Sequence, residues 1–318
     1  MTLSLKELYA SLRTPAESGL VFAVVDLPGV GGVRLGRSTG GPALLVELDG
    51  IDHKLSSIEL KNLSLKPNVT CRTHTASGVS EGLFTVCACT TEDLRLQGLF
   101  LDALQCLVPA EGFGAPSDPR SALEGLVELF SALQRAPKTS VLGLWGEIFL
   151  MGESADPEVL LDAWHQLPDD HYDFARGHQR VEVKTTNGRR QHSISLEQLT
   201  PPAGVEVVVA SIVTESSAAG SSVVDLITAV AARCTAPDAS ARLLTGASQA
   251  LGADVQHWSE HRYDVSRARD LLRLLPADAI PRPTADDRRI WDVRFRVDLE
   301  GLEVGSTPLL GELTEGLL

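Results

Sequence analysis

The chain has 318 residues, 28 basic and 42 acidic side chains, and a formal net charge of −14. With 43% hydrophobic and 22% charged residues it has the composition of a soluble globular protein, long enough for two domains or three small ones. The acidic balance counts against a stand-alone, non-specific nucleic-acid binder, which would be basic overall, but not against an enzyme whose positive charge is confined to one groove. No apolar run approaches the ~20 residues that span a bilayer, and the N-terminal MTLSLKELYASLRTP lacks the pattern of a secretory signal. Neither a membrane protein nor a secreted one is expected. Five cysteines at irregular spacing suit a reducing cytoplasm better than a disulfide framework. Six Lys against 22 Arg is read as genome composition.

In chain order, Leu3, Leu5, Leu8 and Leu12 predict a short amphipathic helix that stops at Pro15. From 20 to 108, short apolar runs such as GLVFAVVDLPG, PALLVELDG and EGLFTVCAC, split by Gly, Pro and Asn, read as strands and turns. The stretch GFGAPSDPR at 112–120 reads as a linker or loop. A helical region runs from Ser121 to about Met151, broken near Pro137. Strand-like pieces follow at 171–175, 180–186 and 192–196, then the apolar run VEVVVASIV at 205–213. Ser222 is placed to cap a helix over 223–234, and a further helix fits 238–251. The tail combines an Arg-rich helix at 265–275 with a strand in WDVRFRVDLE at 291–300.

Several chemical signals fail on inspection. Gly31 to Ser38 nearly match G-x4-G-K-[ST], but Arg37 stands where a phosphate loop needs Lys, and no helix opens after it. Arg34 occupies the last Gly of a G-x-G-x-x-G pattern, so strand–turn–strand is the better reading and no bound nucleotide is expected. Cys87 and Cys89 share one side of a strand, but no second pair stands at zinc-ligand spacing, so they read as small buried apolar side chains. The eight histidines form no H-E-x-x-H pair, and no Ser lies in a G-x-S-x-G elbow.

The informative stretch is HYDFARGHQRVEVKTT at 171–186. A hairpin with a two-residue loop at Gly177-His178 puts Gly where a type II′ turn needs it. Facing residues then sum to 355, so Asp173 stands opposite Glu182 with Cβ atoms about 4.5–5.5 Å apart, near enough to share a hard cation. Lys184 points to the same face as Glu182, while Val181 and Val183 turn to the other. A half-buried strand with a merely solvated polar face is the simpler explanation of Glu-x-Lys alone. Against it, residues 176–192 hold five basic side chains (Arg176, Arg180, Lys184, Arg189, Arg190) and one acid, Glu182, in a chain that is otherwise acidic. A polyanion beside a metal site accounts for that local reversal.

The order Asp173 … Glu182-Val183-Lys184 resembles the motif of the PD-(D/E)XK nuclease superfamily, and its context is similar to an uncharacterised bacterial group assigned to it. GLWGEIFL places Glu147 on a preceding helix, where many members carry an acid facing the site. RRQHSISLEQL resembles the third core strand leading into a helix with a Gln, here Gln198; VEVVVASIV and the helix from Val223 complete an α-β-β-β-α-β order. The resemblance covers about 120–235. Tyr172 stands where the motif's name has Pro.

The resemblance implies an α/β restriction-endonuclease-like core at 116–236; the strand and helix patterns on either side predict a β-rich N-terminal domain at 1–115 and a smaller α+β segment at 237–318. It implies metal-dependent hydrolysis of DNA phosphodiesters. Asp173, Glu182 and the Val183 carbonyl would hold Mg²⁺, with Mn²⁺ able to substitute. Lys184 would orient water or stabilise developing charge, Glu147 would steady the metal's water or Lys184, and Gln198 would complete the catalytic set. Arg176, Arg180, Arg189 and Arg190 would contact the DNA backbone. His192 and Ser195 stay outside the catalytic set. The family suggests a cytoplasmic restriction or anti-phage system with further protein subunits as partners. Two other classes compete. A catalytically inactive DNA-binding or scaffold subunit is opposed by the intact Asp/Glu/Lys trio. An unrelated interaction protein would leave Asp173 and Glu182 apart from Lys184.

Overall fold

The computed structural model describes residues 4–27, 31–47, 55–107, 119–164, 172–236, 238–284 and 289–302. Most of the expected linker at 112–120 lies outside the described residues, as do Gly29, Val30, His53, His165 and His171. The chain forms two compact units, Met1–Lys138 with Thr235–Ser259, and Thr139–Cys234 with Glu260–Leu318. This division differs from three successive segments at 1–115, 116–236 and 237–318. Among the described residues no helix is long and apolar enough to cross a membrane.

The first unit opens with α1 (Leu5–Ser11), whose first turn is closed by a capping box between Ser4 and Glu7. Six strands follow: β1 (Val21–Asp26), β2 (Val33–Ser38), β3 (Gly41–Val46), β4 (Ile58–Glu59), β5 (Leu63–Thr75) and β6 (Gly78–Cys89). They pair in the order β1-β2-β3-β6-β5-β4, and β5 pairs again with β1. Five strands therefore close into a ring. An odd ring cannot alternate direction throughout, and the β1–β5 join is the parallel one. Phe22, Val24, Ala43, Leu45, Cys71, Phe84 and Val86 pack into one core cluster of this unit.

Gly31–Ser38 runs into β2 and is followed by β3, as the strand–turn–strand reading expects. The Arg37 guanidinium sits 4.0 Å over the Tyr9 ring and donates to the Leu12 carbonyl. Cys87 and Cys89 are both buried, and burial raises the Cys89 thiol to about 11.

Helix α2 (Leu94–Leu107) corrects the β-rich reading of 20–108. Its buried Leu99, Phe100, Ala103, Leu104 and Leu107 fall on one helical stripe; their short apolar doublets look like strand fragments when the 3.6-residue period is not tested. It packs with α3 (Pro119–Ala132) and, from the returning stretch, the helix Ala239–Leu251 numbered α7 below. The side chains of Leu107 and Leu244 both crowd Gly125 of α3. That packing is why α3 and the returning helix join the first unit rather than the segments on either side of them in sequence.

The second unit contains α4 (Val141–Glu153), α5 (Pro157–Ala163), β7 (Phe174–Arg176), β8 (Gln179–Thr186), β9 (Gln191–Ser195), β10 (Glu206–Val213), β11 (Ser216–Ser221), α6 (Val223–Ala231), then α8 (Val265–Asp270), β12 (Arg273–Pro276) and β13 (Arg294–Asp298). Ser222 does cap α6, through a reciprocal box with Asp225. A four-stranded sheet has the order β12-β10-β8-β7, with β8 and β10 parallel. Every β10 residue but Glu206 is buried, as expected of a central parallel strand covered on both faces.

Two features depart from the expected α-β-β-β-α-β order. Both edges of β8 are taken, by β7 and β10, so β9 pairs instead with β13 in a separate antiparallel ribbon. The expected helix bearing Gln198 is a single 3₁₀ turn, Glu197–Leu199.

Helix α4 packs on β8 through Gly146, where an added Cβ would lie 1.8 Å from Thr185 Oγ1. Helix propensity alone favours Gly146→Ala by up to ~1 kcal/mol. Overpacking typically costs about 1–3 kcal/mol, and it should win here because Thr185 is β-branched on a strand. A lowered urea midpoint is expected; an Ala variant as stable as the parent would deny the close approach.

Candidate active site

The β7–β8 hairpin sets the geometry. Phe174 faces Val181, Ala175 faces Arg180 and Arg176 faces Gln179, so facing residues sum to 355 as the sequence suggested. Gly177 has φ 54° and His178 does not take a positive φ, the sign pattern of a type II′ turn. The ladder stops at Phe174. Beyond it the Asp173 carboxylate takes over, accepting a 2.7 Å hydrogen bond from the Val183 amide through Oδ2. The amide and carbonyl of one strand residue point to the same edge, so the Val183 carbonyl also faces the edge that Asp173 occupies.

On the adjacent position of β8, Glu182 is 4% exposed. Its Oε1 meets Lys184 Nζ at 2.6 Å, and the Gln198 side chain also hydrogen-bonds the carboxylate. Its Oε2 is buried without a hydrogen-bond partner. Glu147, buried on α4, accepts a 2.8 Å hydrogen bond from the Trp164 indole and is close enough to act electrostatically on both Asp173 and Glu182. Asp173, Glu182, Lys184, Glu147 and Gln198 therefore gather at one place, although they come from α4, the residue before β7, β8 and the 3₁₀ turn.

Electrostatics follow from this crowding. Burial, then the charges of Glu182 and Glu147, push the Asp173 carboxyl well above the usual range. Burial likewise raises Glu182, against the pull of Lys184. Crowded carboxylates that raise one another are relieved by a proton or by a cation. Among the described residues no group of three or more His, Cys, Asp or Glu side chains gathers as a ligand set. The donors that fit a hard divalent ion are two carboxylates and a main-chain carbonyl, all oxygen, one of them the orphaned Glu182 Oε2.

The basic residues divide. Arg176 and Arg189 are exposed, and Arg180 is half-buried, donating to the Gly177 and Gln179 carbonyls of its own hairpin. Arg190 is different: it is 2% exposed, and its guanidinium donates to Ser211 Oγ, the Ser211 carbonyl and the Leu271 carbonyl. It is held inside the unit rather than presented to a phosphate.

Sequence reasoning missed Trp164, whose contact with Glu147 is a tertiary one that no spacing announces. It also left His192 aside. That ring is buried, its Nε2 lies 2.7 Å from Ser211 Oγ, and Ser211 pairs in register with Lys184. Burial first, then Arg190 and Lys184, lower His192 to about 4. The unfolded chain, with an ordinary His near 6.5, therefore takes up a proton that the fold refuses. Stability should fall as pH drops from about 6.5 toward 4, by up to ~3 kcal/mol. Urea titrations at pH 7 and pH 5 should show that slope in the parent and a smaller one in His192→Gln.

The family model described as "Putative PD-(D/E)XK family member" (DUF4420) matches residues 55–300. No curated protein and no solved structure matches the chain. The match covers more than half of the chain and includes every residue gathered above, so the protein belongs to this PD-(D/E)XK family, a membership that points to a nuclease.

Proposed function

We propose that the protein is a metal-dependent endonuclease that hydrolyses DNA phosphodiester bonds. The observation that carries the reading is the buried Glu182 carboxylate, tied by one oxygen to Lys184 and left with the other unpartnered beside Asp173. Water adds to phosphorus and the P–O ester bond breaks, leaving one phosphate and one hydroxyl end. A divalent ion, Mg²⁺ or Mn²⁺, would offset phosphate charge and acidify water there. Asp173, Glu182 and the Val183 carbonyl are the residues that would hold it.

The chain's own groups do the remaining work. Glu182 fixes the Lys184 ammonium, which supplies a point charge to the oxygens on which negative charge develops. Gln198 restrains the Glu182 carboxylate, and Trp164 restrains Glu147. Arg176, Arg180 and Arg189 would contact the DNA backbone, where contacts position without reading sequence. A cytoplasmic role in a bacterial restriction or anti-phage system, acting with other subunits, suits an acidic protein whose positive charge is local.

The test is a cleavage assay on linear, supercoiled and single-stranded DNA with Mg²⁺, Mn²⁺ or EDTA. Cutting with either ion and none in EDTA is expected. Cutting in EDTA equal to that with Mg²⁺ would remove the metal from the reading.

A further inference from the structure

The β9–β13 ribbon has two unlike faces. Inward it buries His192, Ile194 and Val297. Outward, Arg294 pairs across from Ser195 and Arg296 from Ser193, so two exposed guanidinium groups stand over small polar neighbours. Just before the ribbon, Trp291 is 79% exposed. The other three tryptophans, Trp145, Trp164 and Trp258, are buried. An indole this exposed among the described residues is costly to hold in water and is a stacking surface for a planar partner.

The position of this surface is what gives it meaning. The amide of Asp292, next to Trp291, donates to the Glu197 carboxylate, and the Leu196 amide donates to the Val293 carbonyl. Within the same turn, Gln198 accepts from the Ser195 amide and hydrogen-bonds Glu182. The Trp291 end of the ribbon is thus tied to the turn that touches the candidate site. Acids are present too. Asp292 pairs with Arg294 at 3.2 Å, and Asp298 takes Gln191 at the far end. The Arg294 pair is exposed on both sides, and such pairs contribute only about 0–1 kcal/mol, so a phosphate can replace the carboxylate.

We infer that the outer face of this ribbon is a platform for single-stranded DNA, with Trp291 stacked on a base and Arg294 and Arg296 on flanking phosphates. Stacking needs an unstacked base, which a duplex does not offer. The inference deepens the nuclease reading by naming the form of the substrate beside the site, and its test does not depend on cleavage.

The experiment titrates the full-length parent in EDTA with oligo-dT, oligo-U and a duplex. It follows the acrylamide-accessible tryptophan emission, which Trp291→Phe identifies. Oligo-dT should quench that emission, and Trp291→Ala should weaken oligo-dT binding about tenfold, or 1.4 kcal/mol. The Arg294→Ala/Arg296→Ala double variant should reduce the slope of log K against log salt by about 1.4, at ~0.7 per phosphate on a single strand. No quenching, tighter binding to duplex or oligo-U than to oligo-dT, or unchanged affinity in Trp291→Ala would each overturn the platform. If the parent cuts DNA while Trp291→Ala binds normally, the platform fails and the nuclease stands. If oligo-dT binds through Trp291 and no DNA is ever cut, the nuclease fails and the platform stands.

Discussion

Replacing Lys184 should reduce DNA cleavage by at least about 10²–10³, the usual loss when one preorganised charge donor is removed from a transition state. Binding should change little, because the ammonium acts on charge that appears only during the reaction. The structure adds a complication that the sequence did not. Lys184 is also the 2.6 Å partner of the buried Glu182, and breaking a buried pair from one side commonly costs 3–5 kcal/mol. Lys184→Ala should therefore be less stable in EDTA. Lys184→Gln, which keeps a donor near Glu182, should be less damaged in stability and just as poor in cleavage. Urea curves and single-turnover rates on the same preparations separate the two effects. A scaffold subunit would behave oppositely, keeping its biological activity in Lys184→Gln. A well-folded Lys184→Gln protein that cuts at the parental rate would end the catalytic reading.

How far the sequence carried this site depends on which interactions are local. Asp173, Glu182 and Lys184 lie on one hairpin, so turn chemistry at Gly177 and the two-residue alternation of a strand were enough to bring them together. The register found, Phe174 against Val181, follows from those two rules alone. Glu147 and Gln198 needed the family resemblance, since nothing in their spacing joins a helix or a 3₁₀ turn to β8. What stayed illegible is tertiary. Arg190 sits in the same basic run as Arg189, yet it is spent on Ser211 and Leu271, 21 and 81 residues further along the chain. Charge in a run marks a candidate surface; only packing decides which members reach it. The same limit applies to β9, whose alternating pattern predicted a strand but could not say that β13 would be its partner.

Asp173→Asn should have the second large effect, and its sign is the informative part. The Asn side-chain oxygen can still accept from the Val183 amide, so the hydrogen bond at the end of the hairpin survives. What disappears is a negative charge that burial, Glu182 and Glu147 all disfavour. A carboxyl raised in the fold is one whose stabilising, protonated form is lost as pH rises through its folded value. Above that value the metal-free parent carries the unfavourable charge, whereas Asn behaves as the protonated form at every pH. The metal-free variant should therefore gain on the parent as pH rises through that value, by about 0.5–2 kcal/mol, the range of a single stabilising substitution. Mg²⁺ should reverse the order. At a hundred times its dissociation constant an ion stabilises the state it binds by about 2.7 kcal/mol, which should raise the parent's melting temperature by several degrees. Asp173→Asn, lacking a charged ligand, should respond weakly and should not cut DNA. Melting curves of both proteins in EDTA and in a Mg²⁺ series make the comparison. Equal Mg²⁺ shifts in the two proteins would place the ion elsewhere, and the charge crowding around Asp173 would then need a cause other than a cation.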